Sequence, residues 1–183
     1  MHRTFTLTTP ALWLALAVAG CSRTSGPGPQ TGAGPAAPST ASAACTADQL
    51  AFELDRRDGM FDGMSHSGTM LVLRNAGISP CSLPALPEAV FLDASHQPLR
   101  TVAQPEQAPA AALLLAPGAQ VESAMRWVSG DVYEHGRCLA PAYLGVVVDG
   151  RMLSAAFAGQ VCGPGDQPPA YAIKPFQPAA AQQ

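Results

Sequence analysis

Between Cys45 and Phe176 the chain consists of short runs in which apolar and polar residues alternate, separated by turn-forming residues. Leu50, Phe52 and Leu54, for example, alternate with small or acidic residues. Alternation with a period of two predicts a β-strand with one buried face. A helical period is not sustained beyond about ten residues anywhere in this region, which disfavours folds built from β-α-β units.

One hairpin is clearly marked. Three consecutive valines, Val146 to Val148, precede Asp149-Gly150, and a second apolar run follows. Asp-Gly is favoured where both central residues of a tight turn need positive φ. Further strands are expected around residues 70–74, 89–93, 99–103, 113–115, 121–127 and 171–173. Seven or eight short antiparallel strands separated by turns predict an all-β, immunoglobulin-like sandwich, with Trp127 as its core aromatic residue.

The first 20 residues are interpreted as a signal peptide. A weakly basic start is followed by a nine-residue apolar core, residues 11–19. As a helix this core rises only about 14 Å, against a hydrocarbon layer roughly 30 Å thick. The core ends in Val18-Ala19-Gly20-Cys21, which resembles the bacterial lipobox. That resemblance implies cleavage before Cys21, a diacylglyceryl group on its sulfur, and a further acyl chain, such as palmitate, on the new amino terminus.

A signal peptide that ends in a lipobox implies a lipoprotein of the cell envelope. Two or three acyl chains hold a protein firmly on a bilayer, so the membrane itself is the first expected partner. The folded region is then expected to face the periplasm or the exterior. In a Gram-negative host, Ser22 after the lipidated cysteine resembles the pattern that is sent to the outer membrane.

The chain after the signal peptide is expected to consist of three segments. Residues 21–44 combine the lipidated cysteine with a linker rich in Ala, Gly, Pro and Ser, which cannot bury a core and is expected to be a disordered tether. Residues 45–176 are the expected sandwich domain, and residues 177–183 are expected to be a flexible tail.

The cysteine count fits an exported domain. Of the five cysteines, Cys21 is assigned to lipid, and an even number remains. Four cysteines in an oxidising compartment predict two disulfides, with three possible pairings. The expected strand order favours two pairs, Cys45–Cys81 and Cys138–Cys162, because in each pair one cysteine precedes the first strand of a hairpin and the other follows the second. A zinc site is disfavoured because no C-x₂-C spacing is present.

The residues then resemble a known family. Three stretches carry the first half of the resemblance: Cys45-Thr-Ala-Asp-Gln-Leu50, Leu73-Arg-Asn-Ala-Gly77 and Cys81-Ser-Leu-Pro-Ala-Leu-Pro87. The second half agrees through Leu115-Ala-Pro-Gly118, Arg126-Trp127, Cys138 and Ile173-Lys-Pro-Phe176. Together they resemble the bacterial domain-of-unknown-function family 4232. The resemblance implies an exported, often lipidated immunoglobulin-like sandwich and carries no catalytic residue.

Several classes of function are disfavoured. The net charge of −3 supplies no general cationic surface, so nucleic-acid binding is not expected. The string Gly63-Met-Ser-His-Ser-Gly68 is not a nucleophile elbow, and the polar stretch of residues 131–135 is interpreted as a solvated loop. We therefore expect no enzyme, no catalytic residue and no cofactor.

The expected role is a binding or structural module of the cell envelope, with an envelope protein or a glycan as its partner. A periplasmic copper-binding protein is the alternative. Met60, Met64, His66 and Met70 lie in or next to the loop between the first two expected strands, and thioether and imidazole ligands suit Cu(I). Methionines also fill gaps in cores, which is the simpler interpretation.

Overall fold

The computed structural model describes residues 42–107 and 111–179. Regular structure in these residues is almost entirely β. Two single-turn 3₁₀ segments, Ala47–Gln49 and Arg57–Gly59, flank the first strand. The strands are β1 (Leu50–Asp55), β2 (His66–Asn75), β3 (Cys81–Leu83), β4 (Glu88–Leu92), β5 (Val102–Pro105), β6 (Leu113–Leu115), β7 (Gln120–Val128), β8 (Gly136–Leu139), β9 (Tyr143–Val148), β10 (Arg151–Ala156), β11 (Val161–Pro164), β12 (Ala170–Ile173) and β13 (Gln177–Pro178). The prediction of an all-β domain is confirmed.

Two larger sheets form an immunoglobulin-like sandwich. The first has the strand order β1-β2-β7-β12-β5, with β13 also paired to β7. The second has the order β10-β9-β4. Two small sheets, β11-β8 and β3-β6, complete the described pairings. In the described residues, no helix is long and apolar enough to cross a membrane.

The core lies between the two larger sheets, because buried and exposed residues alternate along their strands and the buried residues face the opposite sheet. In β7, Val121, Ser123, Met125 and Trp127 are buried, whereas the residues that alternate with them are more exposed. Across the gap, β4 contributes Phe91, which is fully buried. The Phe91 ring meets the Trp127 ring edge-on with centroids 5.7 Å apart. This is a favourable aromatic geometry, and it confirms Trp127 as a core residue.

The predicted hairpin is also confirmed. Strands β9 and β10 pair antiparallel with Val148 opposite Arg151, leaving Asp149 and Gly150 as the two-residue turn. Their φ angles are 50° and 69°. Two consecutive positive φ values match the twist of the flanking strands, which is why Asp-Gly suits this position.

The disulfides pair as the strand order favoured. Cys45 bonds to Cys81, and Cys138 bonds to Cys162. Cys45 lies just before β1 and Cys81 opens β3, directly after the antiparallel pair β1-β2. Cys138 and Cys162 face each other across the separate pair β8-β11 rather than flanking β9 and β10 directly.

Three expectations need correction. The described residues form thirteen strands rather than seven or eight, because short strands such as β3, β8 and β11 have too few residues to be recognised by alternation. One pairing, β5 with β12, is parallel rather than antiparallel. The strand expected at residues 99–103 spans a crossing between sheets: the N–H of Leu99 donates to the carbonyl of Phe91 in the second sheet, whereas Val102 begins the pairing with β12 in the first.

The domain also extends beyond its expected ends. Ala44 forms a bridge to Ser82 in β3, and the N–H of Ser82 donates to the carbonyl of Ala43, so the end of the expected tether is structured. Gln177 and Pro178 pair with β7, which corrects the expected start of the flexible tail. Cys21 and the rest of the expected signal peptide lie outside the described residues.

Candidate functional site

A cavity of about 290 Å³ opens at one end of the sandwich. It lies where β1, β7 and β10 end and where β2 begins. The lining residues come from these four places: Leu54, Arg56, Ser67, Gly68, Thr69, Trp127, Ser129, Ala156, Phe157, Ala158, Gly159 and Gln160. Loops and strand ends over a rigid frame are common positions for binding residues.

Aromatic packing fixes one wall of the cavity. The ring of Trp127 lies 5.4 Å from that of Phe157, centroid to centroid. Phe91 meets Phe157 edge-on from the core side, with centroids 5.3 Å apart. Because Phe91 contacts both rings, the orientation of the Trp127 indole is set by the core rather than by a mobile loop.

The lining residue Trp127 has an unusual feature, which is its indole nitrogen. Trp127 is only 5% exposed, and its Nε1 is buried without a hydrogen-bond partner in the described part of the chain. An indole N–H can only donate. Leaving a buried donor unpaired costs about 1–3 kcal/mol, so such a group in a native protein calls for a partner such as an ordered water or a bound small molecule.

Two hydroxyl groups pair with each other on another side of the cavity. The Ser67 hydroxyl donates to the Ser129 oxygen over 3.0 Å. This bond uses one of the two hydroxyl protons and leaves the other free to donate elsewhere. The Thr69 hydroxyl, in contrast, donates to the backbone carbonyl of Asp55 over 3.2 Å. The register of β2 against β7 places Ser67 opposite Trp127 and so brings these groups together.

Arg56 is the charged side chain that lines the cavity. It follows β1 directly, and its Nη2 lies 2.9 Å from Asp62 Oδ2 in an exposed ion pair. Five N–H groups are available on a guanidinium, so this contact leaves donors for a further partner.

The loop of residues 56–65 is seated on the outer face of the first sheet. Gly68 in β2 has no room for a side chain: a Cβ there would lie 2.5 Å from the carbonyl oxygen of Met125 and 2.8 Å from the Cβ of Phe61. Phe61 therefore packs directly on the backbone of β2. Arg57 adds an ion pair to Glu122 of β7. These contacts hold the loop that carries Arg56.

The residues of the copper hypothesis are not all neighbours. Met60 and Met64 are 68% and 97% exposed in the loop, and His66 Nδ1 donates to the carbonyl of Met64 over 2.9 Å. Met70 lies four positions after His66 on extended β2, a separation of about 13 Å along the strand. Copper binding stays a prediction, and the strand geometry limits it to Met60, Met64 and His66.

Other candidates from the sequence lie on the surface. Asp131, Glu134 and His135 are exposed between β7 and β8. Within the described residues, no three or more His, Cys, Asp or Glu side chains are grouped to hold a metal. The predicted lipid site, Cys21, lies outside the described residues.

Sequence reasoning missed the cavity. Trp127 was expected only as a core residue, and Arg56, Ser67 and Ser129 were not singled out. One signal was present: Ser67 and Thr69 continue the same alternating face of β2 as the buried Leu71 and Leu73. Polar residues on a buried face indicate either a hydrogen-bonded core position or a site.

The family comparison covers the whole sandwich. A family model described as Domain of unknown function (DUF4232) matches residues 45–177. No curated protein matches the chain significantly, and no solved structure does.

Proposed function

We propose that this chain, which belongs to the domain-of-unknown-function family DUF4232, is a lipid-anchored protein of the cell envelope that binds a small molecule at the end of its sandwich. The family description names no activity, so the proposal depends on the site. A cavity lined by aromatic and aliphatic side chains with a few polar groups is typical of small-molecule sites.

The buried, unpartnered Nε1 of Trp127 carries this proposal. A molecule with a hydrogen-bond acceptor would satisfy it and regain the free energy that the unpaired donor costs. The position of Trp127, between the core and the cavity, supports the idea that the fold is prepared for such a molecule.

The location is supported by two independent features. The lipobox resemblance at Val18 to Cys21 predicts an acylated amino terminus on the outer side of a membrane. Two disulfides suit an oxidising compartment and are rare in the cytosol. In a Gram-negative host, the outer membrane is the proposed site of attachment.

Fluorescence of Trp127 tests the binding proposal. The sequence has two tryptophans, Trp13 and Trp127, and Trp13 lies in the proposed signal peptide, so Trp127 is the single tryptophan of the processed protein. The processed, lipidated protein, in phosphatidylcholine vesicles, is titrated with small carboxylic acids, amines, sugars and alcohols. We expect a saturable change in emission for at least one class.

The variant Trp127→Phe, whose processed chain contains no tryptophan, is the control and should show no change at the tryptophan emission wavelength. If no class changes the emission of Trp127, or if the signal of the control changes equally, the cavity is not a binding site for these molecules.

A further inference from the structure

We infer that the cavity takes a small apolar carboxylate, with the carboxylate at the polar side and the apolar body against the aromatic wall. This inference depends on the proposed function, because it names the class of molecule that the same cavity binds. It follows from three properties of the lining: which protons are free, which charge is present, and where the apolar surface lies.

The free hydrogen-bonding protons favour an acceptor. Trp127 Nε1–H has no partner in the described residues, and the hydrogen bond between Ser67 and Ser129 uses only one of their two hydroxyl protons. Arg56 supplies further N–H groups beyond its contact with Asp62. A carboxylate accepts only and has about four lone-pair positions, so one such group can serve several donors.

The charge at the cavity favours an anion. Arg56 is the single charged side chain among the lining residues, and it is cationic. Hydrogen bonds between ionised partners are shorter and stronger than neutral ones, and Arg pairs well with carboxylates. Arg56 is 57% exposed, so water screens this interaction and the expected contribution is modest.

The body of the ligand is expected to be apolar and small. Leu54, Ala156, Phe157 and Ala158 line the cavity together with the Trp127 ring. The cavity volume of about 290 Å³ lies near the lower end of the range for ligand sites, roughly 300–1,000 Å³. A compact aryl or short acyl chain fits this space, whereas a sugar would leave its hydroxyl groups against apolar carbon.

Three probes of one shape test the class of ligand. The processed, lipidated protein in vesicles is titrated with 3-phenylpropionate, with the neutral 3-phenylpropanol and with the cationic 3-phenylpropylamine. We expect 3-phenylpropionate to bind at least tenfold more tightly than either analogue. Arg56→Gln should weaken the acid roughly twofold to fivefold and leave the alcohol unchanged, since it removes an exposed, screened positive charge.

Arg151→Gln is the matched control, because Arg151 is also an exposed arginine in an ion pair, with Asp48, yet it does not line the cavity. It should bind the acid as the parent does, and near-ultraviolet circular dichroism should be the same for both variants.

If the alcohol or the amine binds as tightly as the acid, or if Arg56→Gln leaves the acid unaffected, the carboxylate class is wrong while the cavity remains a binding site. If none of the three probes binds and no other class does, both proposals fail.

Discussion

Tyr171 in β12 donates its hydroxyl proton to the backbone carbonyl of Ala89 in β4, over 2.5 Å. This hydrogen bond joins the two larger sheets through the core. The phenol ring also meets Phe91 edge-on with centroids 5.6 Å apart. Tyr171 is only 4% exposed, so the bond is protected from water and holds the sheets in one relative position.

The stability of the domain should therefore fall at alkaline pH. Burial, aided by the nearby Glu88 carboxylate, raises the pKa of Tyr171 to about 12 from 10.0. The fold thus favours the neutral phenol, and this contribution is fully present below pH 10 and is lost as the pH rises towards about 12. The difference corresponds to about 3 kcal/mol in the free energy of unfolding. Urea denaturation at a series of pH values from 8 to 11.5 measures the decline.

Tyr171→Phe separates this effect from other alkaline effects. It leaves the carbonyl of Ala89 without its buried partner, so we expect a loss of about 1–3 kcal/mol at pH 8. The remaining decline above pH 10 should then be shallower than in the parent. Tyr143→Phe, which changes a half-buried tyrosine stacked on His96, is the control and should keep the full decline. An equal pH dependence in all three proteins would contradict the assignment to Tyr171.

Gly68→Ala should destabilise the domain by about 1–3 kcal/mol, because the added Cβ overpacks a filled space. The nearest atoms are the carbonyl oxygen of Met125 and the Cβ of Phe61, at 2.5 and 2.8 Å. Thermal unfolding measures the loss. Phe61→Gly removes the Cβ of Phe61 but leaves the backbone clash, so in a Phe61→Gly background the Gly68→Ala substitution should cost less stability than in the parent, though still a measurable amount. If Gly68→Ala cost nothing in that background, the backbone of β7 would have to yield easily.

Removing the Cys45–Cys81 disulfide should cost more than removing Cys138–Cys162. The first closes a separation of 36 residues and the second one of 24, which gives about 4 and about 3.5 kcal/mol in the chain-entropy model. Cys45 and Cys81 also belong to the buried core, whereas Cys138 is exposed. Double Cys→Ala variants of each pair, compared by urea denaturation, measure the difference. A larger loss from the second pair would contradict this ranking.

Alternation along single strands made the fold class and the buried faces predictable. Val121, Met125 and Trp127 lie on the inner face of β7, as their spacing indicated, and Asp149-Gly150 forms the expected turn. Alternation does not determine which strands pair or in which direction. For that reason the parallel pair of β5 with β12 was not expected.

The cavity was not predictable for a related reason. Its lining comes from four segments that are far apart in the sequence, and only the register of β2 against β7 places Ser67 opposite Trp127. The missing partner of the Trp127 indole depends on the position of every nearby acceptor. Composition and spacing carry no information about such an absence.

The proposed lipid anchor at Cys21 can be tested by substituting that cysteine. Cys21→Ser removes the thiol that would carry the diacylglyceryl group, so the protein should lose labelled fatty acid and leave the membrane fraction. Cys138→Ala with Cys162→Ala is the control, since it also removes cysteines but none at the lipobox. Two or three acyl chains bind a bilayer firmly, and no helix of the described residues is long and apolar enough to cross a membrane. Metabolic labelling and membrane fractionation measure both properties. If Cys21→Ser remained labelled and membrane-bound, the lipid anchor would not be at Cys21. The proposal that the cavity binds small molecules at the membrane surface would then have no support from the lipobox.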